Sequence, residues 1–265
     1  MKKLLLASTA LVLGGQAFAA DLPVKAPRIA APVAYSWSSC YVGGHVGVGR
    51  NRTLFTEVDG FADTIPVGAS FGINGRAGAL GGVQVGCDYQ FASNWVFGIA
   101  GDFSWANIQG SGIDPFFTGK NGGPITFSSK TDRLASATGR IGYAWDRLLF
   151  YGKGGVGWAH DQYAITNAGA LGGFFCGGGP ATAFGLGPCN SAGSATRVGW
   201  VAGAGIEWAF ANNWSTFIEY DHYGFGTKNV AFAAPFAIGP GAYGVKQDID
   251  VIKVGLNYRF HAFGP

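Results

Sequence analysis

Four histidines, four cysteines and a scattered set of carboxylates and cations carry whatever chemistry this 265-residue chain can do. Catalysis by a nucleophile needs a base within hydrogen-bond reach. His45 has Gly43 and Gly47 two residues to either side, and His222 has Tyr220 and Gly224, so neither shares a strand face with a serine. The two other histidines are His160 and His261. The cysteines, Cys40, Cys87, Cys176 and Cys189, form no CxxC pair and no close pair with histidine, so they do not read as metal ligands. The Gly-x-Gly-x-x-Gly matches are by-products of 46 glycines, and none opens a helix after a buried strand. The expectation is a protein that is not an enzyme and needs neither metal nor cofactor.

The elements that position these groups are strands. Gly82 to Phe91 alternates strictly: Val83, Val85, Cys87, Tyr89 and Phe91 on one face, Gly82, Gln84, Gly86, Asp88 and Gln90 on the other. Similar segments predict strands over 38–50, 77–92, 95–110, 131–145, 148–163, 196–210, 214–226 and 248–260. They are joined alternately by short turns, at Ala92-Ser93-Asn94, Asp146-Arg147 and Ala211-Asn212-Asn213, and by long Gly/Ser/Pro-rich intervals at 51–76, 111–130, 168–194 and 227–247. A compact soluble domain seldom carries four such loops. Alternating tight turns and long loops is the pattern of an outer-membrane barrel.

Composition agrees. Only 12% of residues are charged while 48% are hydrophobic and 15% aromatic, against about 25% charged in soluble domains. Met1-Lys2-Lys3, an apolar run from Leu4 to Leu13 and Gln16-Ala17-Phe18-Ala19 read as a signal peptide over 1–19. Its apolar run is far short of the roughly 20 residues that span a bilayer as a helix, and no later run is long enough. A closed barrel is then the remaining way to satisfy the backbone in lipid. Residues 20–36 contain three prolines and no period, and read as a periplasmic tether. The formal charge of +3, which includes Lys2 and Lys3, argues against nucleic acid. The expected architecture is all-β: an eight-stranded antiparallel up-and-down transmembrane β-barrel over 37–265, with four long extracellular loops.

Tryptophans supply a ruler. Trp95 and Trp105 share one face of a strand, as do Trp200 and Trp208. At about 3.3 Å per residue and a tilt near 40° these separations project to roughly 20–25 Å, near the apolar band between aromatic girdles. Trp105, Trp158 and Trp200 are expected in the outer girdle, and Trp95, Trp145, Trp208 and Trp214 in the periplasmic one. Turning this face to lipid sends Asp88, Asp102, Arg140, Lys153, Glu207, Glu219, Asp221, Lys253 and Arg259 inward. Eight strands leave room only for side chains, so these charges are expected to pair with one another. Inward glycines, Gly43, Gly47, Gly49, Gly203 and Gly205, favour a narrow water path as the alternative, or equally just let bulky neighbours fit. In an exported chain the cysteines read as disulfides. Cys40 and Cys87 fall on neighbouring strands at the same end and on the lipid-facing parity, which predicts a cross-strand bond. A Cys176–Cys189 bond would staple the third loop.

The start Ala20-Asp21-Leu22-Pro23, the opening Trp37-Ser38-Ser39-Cys40-Tyr41-Val42-Gly43-Gly44-His45-Val46-Gly47, the hairpin Gly139-Arg140-Ile141-Gly142-Tyr143-Ala144-Trp145-Asp146-Arg147 and the ending Val254-Gly255-Leu256-Asn257-Tyr258-Arg259-Phe260 resemble the small porin-family outer-membrane proteins of alphaproteobacteria, the group of the outer-membrane immunogenic proteins. The resemblance implies a bacterial outer-membrane location and a terminal aromatic insertion signal, for which this chain, running on to Pro265, offers an internal Phe260 or, in its place, Phe263. It also implies partners in outer-membrane lipids, lipopolysaccharide, periplasmic chaperones and the barrel-assembly machinery. Three roles are compatible: a structural, surface-exposed protein with a filled interior, a narrow porin, or an adhesin or ligand-binding protein acting through its loops.

Overall fold

The computed structural model describes residues 35–58, 67–91, 94–115, 125–167, 189–232 and 242–260. The signal peptide, most of the tether and residues 261–265 lie outside them, as do parts of all four long intervals.

Nine antiparallel strands form one sheet: β1 (Ser39–Glu57), β2 (Ser70–Asn74), β3 (Gly78–Gln90), β4 (Trp95–Ile113), β5 (Ile125–Trp145), β6 (Leu148–Asn167), β7 (Cys189–Trp208), β8 (Trp214–Ala231) and β9 (Ala242–Phe260). Each pairs with its chain neighbour from β3 to β9, and β1 pairs with β9 as well as with β3, so the sheet closes on itself. The ninth strand does not add a ninth position. β2 pairs along the same β1 that carries β3, with Arg52 opposite Asn74 and Gly49 opposite Gly78, so it continues the β3 position across an interruption at 75–77. There the Gly75 amide donates to the Asn51 carbonyl at 2.8 Å and the Arg76 amide to Gln109 at 2.9 Å, which keeps the wall sealed.

The register fixes the barrel's dimensions. Cross-strand partners lead from Val42 through Val85, Gly101, Ala137, Val156, Trp200, Gly224 and Asp248 back to β1 at Arg52. The circuit therefore returns ten residues along from its start (52 − 42 = 10). Eight positions with that stagger demand a strand tilt of about 43° and leave an interior that side chains fill.

Tight turns stand at one end. Asp146-Arg147 links β5 to β6 with Asp146 at φ 52°, and Asn94 ahead of β4 has φ 65°. Asn and Asp tolerate this left-handed region better than other non-glycine residues. At the opposite end the strands are longer than the alternation in the sequence indicates. They run on to Glu57, Ile113, Asn167 and Ala231, and start as early as Ser70, Ile125, Cys189 and Ala242. The four intervals read from the sequence as loops are thus partly barrel wall. Their Ser, Thr, Gly and Asn content hid strands whose outer face is polar.

Candidate functional site

β5 threads every layer of the interior. From the loop end its inward residues include Phe127, Ser129, Thr131, Leu134, Ser136, Thr138, Arg140 and Ala144, all buried. At the turn end Trp37, Val96, Ala144, Leu149 and Ala209 form an apolar plug with Tyr35 against it. Trp37 is fully buried; its Nε1 donates to the Asp146 carbonyl at 3.0 Å and its amide to Gln90 Oε1 at 2.8 Å.

Above this plug lies the first charged layer. Arg140 bonds Asp88 through Nε at 2.6 Å and through Nη2, and reaches Glu207 at 3.2 Å. Arg259 donates to Asp88 at 3.0 Å and to Glu207 at 2.8 Å. Two cations face two carboxylates. Ser39, Ser215 and Asn257 satisfy further valences, and the Arg259 guanidinium lies 4.6 Å from the Trp37 ring centre.

The second layer joins Lys153 and Lys253 to three carboxylates. Lys153 stands 2.8 Å from Glu219 and 3.0 Å from Asp221; Lys253 stands 2.7 Å from Asp221 and 3.1 Å from Glu219. Asp102 is farther, at 3.8 and 3.5 Å, and accepts a hydrogen bond from Ser136. Tyr151 donates to Glu219 at 2.8 Å, and His45 bridges Gln84 and Ser104. The nine ionisable groups placed inward from the sequence thus meet in two adjoining networks. Between them lies a cavity of about 30 Å³, room for roughly one or two waters.

The inward glycines serve these networks. A Cβ on Gly203 would overlap the Asp221 carboxylate, and one on Gly205 would sit 2.5 Å from the Tyr151 hydroxyl. The missing side chains of these two glycines make room for large polar neighbours, while a Cβ on Gly49 would meet Ile108.

Two further layers sit toward the loop end. Leu80, Ile108, Leu134, Val201, Tyr223, Phe225, Ile249 and Val251 form an apolar septum. Beyond it Arg197 Nε faces Asp161 at 3.2 Å, while Thr131 and Gln247 donate to the same carboxylate at 2.6 and 3.1 Å. Burial pushes the Asp161 carboxyl above the usual range against the pull of Thr131 and Arg197. Phe55, Phe71, Phe127, Tyr163, Phe232 and Tyr243 then close the top. Sequence reasoning missed Asp161, Arg197 and the Trp37 plug. Arg197 does share its parity with Gly203, Gly205 and Glu207, and Asp161 shares that of Lys153. Both lie at the ends of the expected strands, beside the long interval at 168–194.

On the outer side, Trp95, Trp105, Trp145, Trp158, Trp200, Trp208 and Trp214 are all exposed among Val, Ile, Phe and Tyr. Trp95 pairs with Tyr143 and Trp214 with Tyr258 near the turn end, whereas Trp105 pairs with Arg133, which faces His160 just beyond Trp158. Cys40 and Cys87 are cross-strand partners joined by a disulfide on this side. Phe260 ends β9 opposite Cys40 with its ring exposed. Cys176 and the Cys189 side chain lie outside the described residues.

An apolar exterior wrapped round a charged interior is a membrane protein's arrangement, and the sequence comparisons name the kind. The family described as outer membrane protein beta-barrel domain matches residues 7–260. The chain belongs to this family. It is 30% identical over 270 residues to the 31 kDa outer-membrane immunogenic protein of Brucella melitensis, covering 98% of this chain and 100% of that one. It is 28% identical over 267 residues to the 25 kDa outer-membrane immunogenic protein of Brucella abortus, covering 98% and 99%. The solved outer membrane protein OprG of Pseudomonas aeruginosa aligns over 86% of this chain and 99% of its own at 12% identity and a TM-score of 0.48. This family member is an outer-membrane protein.

Proposed function

We propose that the protein is a structural, surface-exposed component of the outer membrane whose barrel does not conduct and does not catalyse. One observation carries this reading: the lumen alternates ion-paired layers with an apolar septum, between a Trp37 plug and an aromatic cap. An ion entering the lumen would have to cross Leu134, Ile108 and Phe225, none of which offers a polar group in place of its hydration shell. The names of the Brucella relatives, outer-membrane immunogenic proteins, support display at the cell surface.

The test is single-channel conductance of the refolded mature chain in a planar bilayer, with Leu134→Ala and Arg140→Ala beside it. Silence from the wild type supports the filled barrel. Discrete steps altered in size or ion preference by Arg140→Ala would make the protein a narrow porin.

A further inference from the structure

The Cys40–Cys87 bond occupies a place unsuited to the reaction that makes it. Both residues lie on the outer side near the turn end, as ladder partners of β1 and β3. Each has one further strand neighbour, Phe260 on β9 beside Cys40 and Ile99 on β4 beside Cys87, and both neighbours are exposed on the outer side. Tyr89 and Phe91 follow Cys87 toward the turn, their ring centres 4.9 Å apart, and Phe97 stands 5.3 Å from Phe91. None of these neighbours carries a base. Cys40 is buried by the protein alone, before any lipid covers this apolar belt.

Disulfide exchange proceeds by attack of a thiolate, which needs access to the oxidant, and apolar surroundings oppose the charge. We propose that the Cys40–Cys87 bond is made in water before the strands enter the membrane, so that the exported chain is first the substrate of a dithiol–disulfide exchange and only then of insertion. One cysteine thiolate attacks a sulfur of a donor disulfide and expels a donor thiolate; the second attacks the mixed disulfide and expels the other. The chain loses two protons and two electrons, and the donor leaves as a dithiol. The order of the chain serves this step, since Cys40 and Cys87 precede Cys176 and Cys189 and are exported first. The bond then holds the register of the ladder from Ser39–Asp88 to Gly49–Gly78 before β9 pairs with the other side of β1 and closes the barrel. The proposal rests on the outer-membrane reading but not on whether the barrel conducts.

The experiment takes the mature chain carrying Cys176→Ser and Cys189→Ser, reduces it and refolds it into lipid vesicles, with glutathione disulfide as the oxidant and heat-dependent gel mobility as the check on folding. Its comparison is a second pair, Arg52→Cys with Asn74→Cys, in a chain that also carries Cys40→Ser and Cys87→Ser. Arg52 and Asn74 are partners on the same side of β1 as the native pair and are both exposed on the outer side, but they lie beyond the outer tryptophans. In the folded barrel the native pair is expected to close at least about a hundredfold more slowly than the introduced pair, whereas in urea it should close readily. Iodoacetamide added after folding should label the introduced thiols and leave the native ones unlabelled. Closure of the native pair in the folded barrel within about threefold of the introduced pair would overturn the proposal. Labelling of the native thiols would overturn it too, and decides the matter if neither pair closes. A reduced chain that fails to insert where the oxidised chain inserts supports the same order of events.

Discussion

The zone between the two sets of tryptophans and the wall beyond the outer set are built from the same strands with opposite contents. Along β1, Tyr41 and His45 point inward and Val42, Val46 and Val48 outward; ten residues on, Phe55 points inward and Arg50 and Arg52 outward. β9 repeats this, with Lys253, Asn257 and Arg259 inside and Ile252, Val254, Leu256 and Tyr258 outside, then Tyr243 and Val245 inside and Lys246 outside. Along these two strands parity never changes. The medium around the wall changes. In lipid an apolar side chain gains nothing by turning inward, so the interior can hold charges provided they satisfy one another. Above the membrane water surrounds the wall, and the ordinary hydrophobic effect fills the interior with aromatic rings.

This contrast fixes where substitutions hurt. The largest effect is expected from Arg259→Ala, which leaves Asp88 and Glu207 each short of a buried cationic partner. Removing one partner of a buried pair costs about 3–5 kcal/mol. The loss should appear in urea unfolding from vesicles as failure of the whole barrel. Its counterpart Phe55→Ala removes a ring from the centre of the outer cap, at roughly 3 kcal/mol. Hydrogen exchange should then rise at 52–56, 70–74 and 243–245 with the periplasmic half unchanged. A uniform rise would mean that the two zones are one cooperative unit.

A smaller but sharper contrast comes from adding charge to the exterior. Val254 is lipid-facing, paired with Val46 and Ile218 midway between the tryptophan levels, whereas Gln109 lies on the outer wall two positions past the bulge that follows Trp105. Val254→Arg is expected to cost about 2–4 kcal/mol and Gln109→Arg about 0–1. Equal costs at both sites would move the boundary between lipid and water away from the outer tryptophans.

The fold was legible in the sequence because lipid imposes a strict period of two, readable at Gly82–Phe91, and because the turns at Asp146-Arg147 and Asn94 use residues suited to positive φ. The inward charges followed from the same parity, and so did the Cys40–Cys87 bond. The outer barrel was not legible. Outer segments such as Ile125–Thr131 and Ser191–Thr196 are rich in Ser, Thr, Ala and Gly, since one face meets water and the other packs among rings donated by distant strands. Such runs carry the composition of loops. The bulges were equally hidden, because an extra residue in β4 or β5 has no signature apart from the partner strand it fails to match.

Asp161 offers the finest probe of the outer zone, since it is the carboxylate buried beneath the aromatic cap. Its burial outweighs the pull of Thr131 and Arg197, so its folded pKa lies above the unfolded one. The folded state then holds the proton more tightly than the unfolded state. This contribution to stability is fully present below the unfolded pKa and is lost as pH rises through the folded value. The side-chain carboxyl carbon should therefore titrate by NMR above the ordinary value of about 3.9. Asp161→Asn should remove the corresponding pH dependence of exchange at Val245 and Tyr163. A midpoint at or below 3.9 would mean that the Arg197 pair outweighs desolvation. The outer interior would then hold its carboxylate as the charged layers below do, by an opposite charge that outweighs burial.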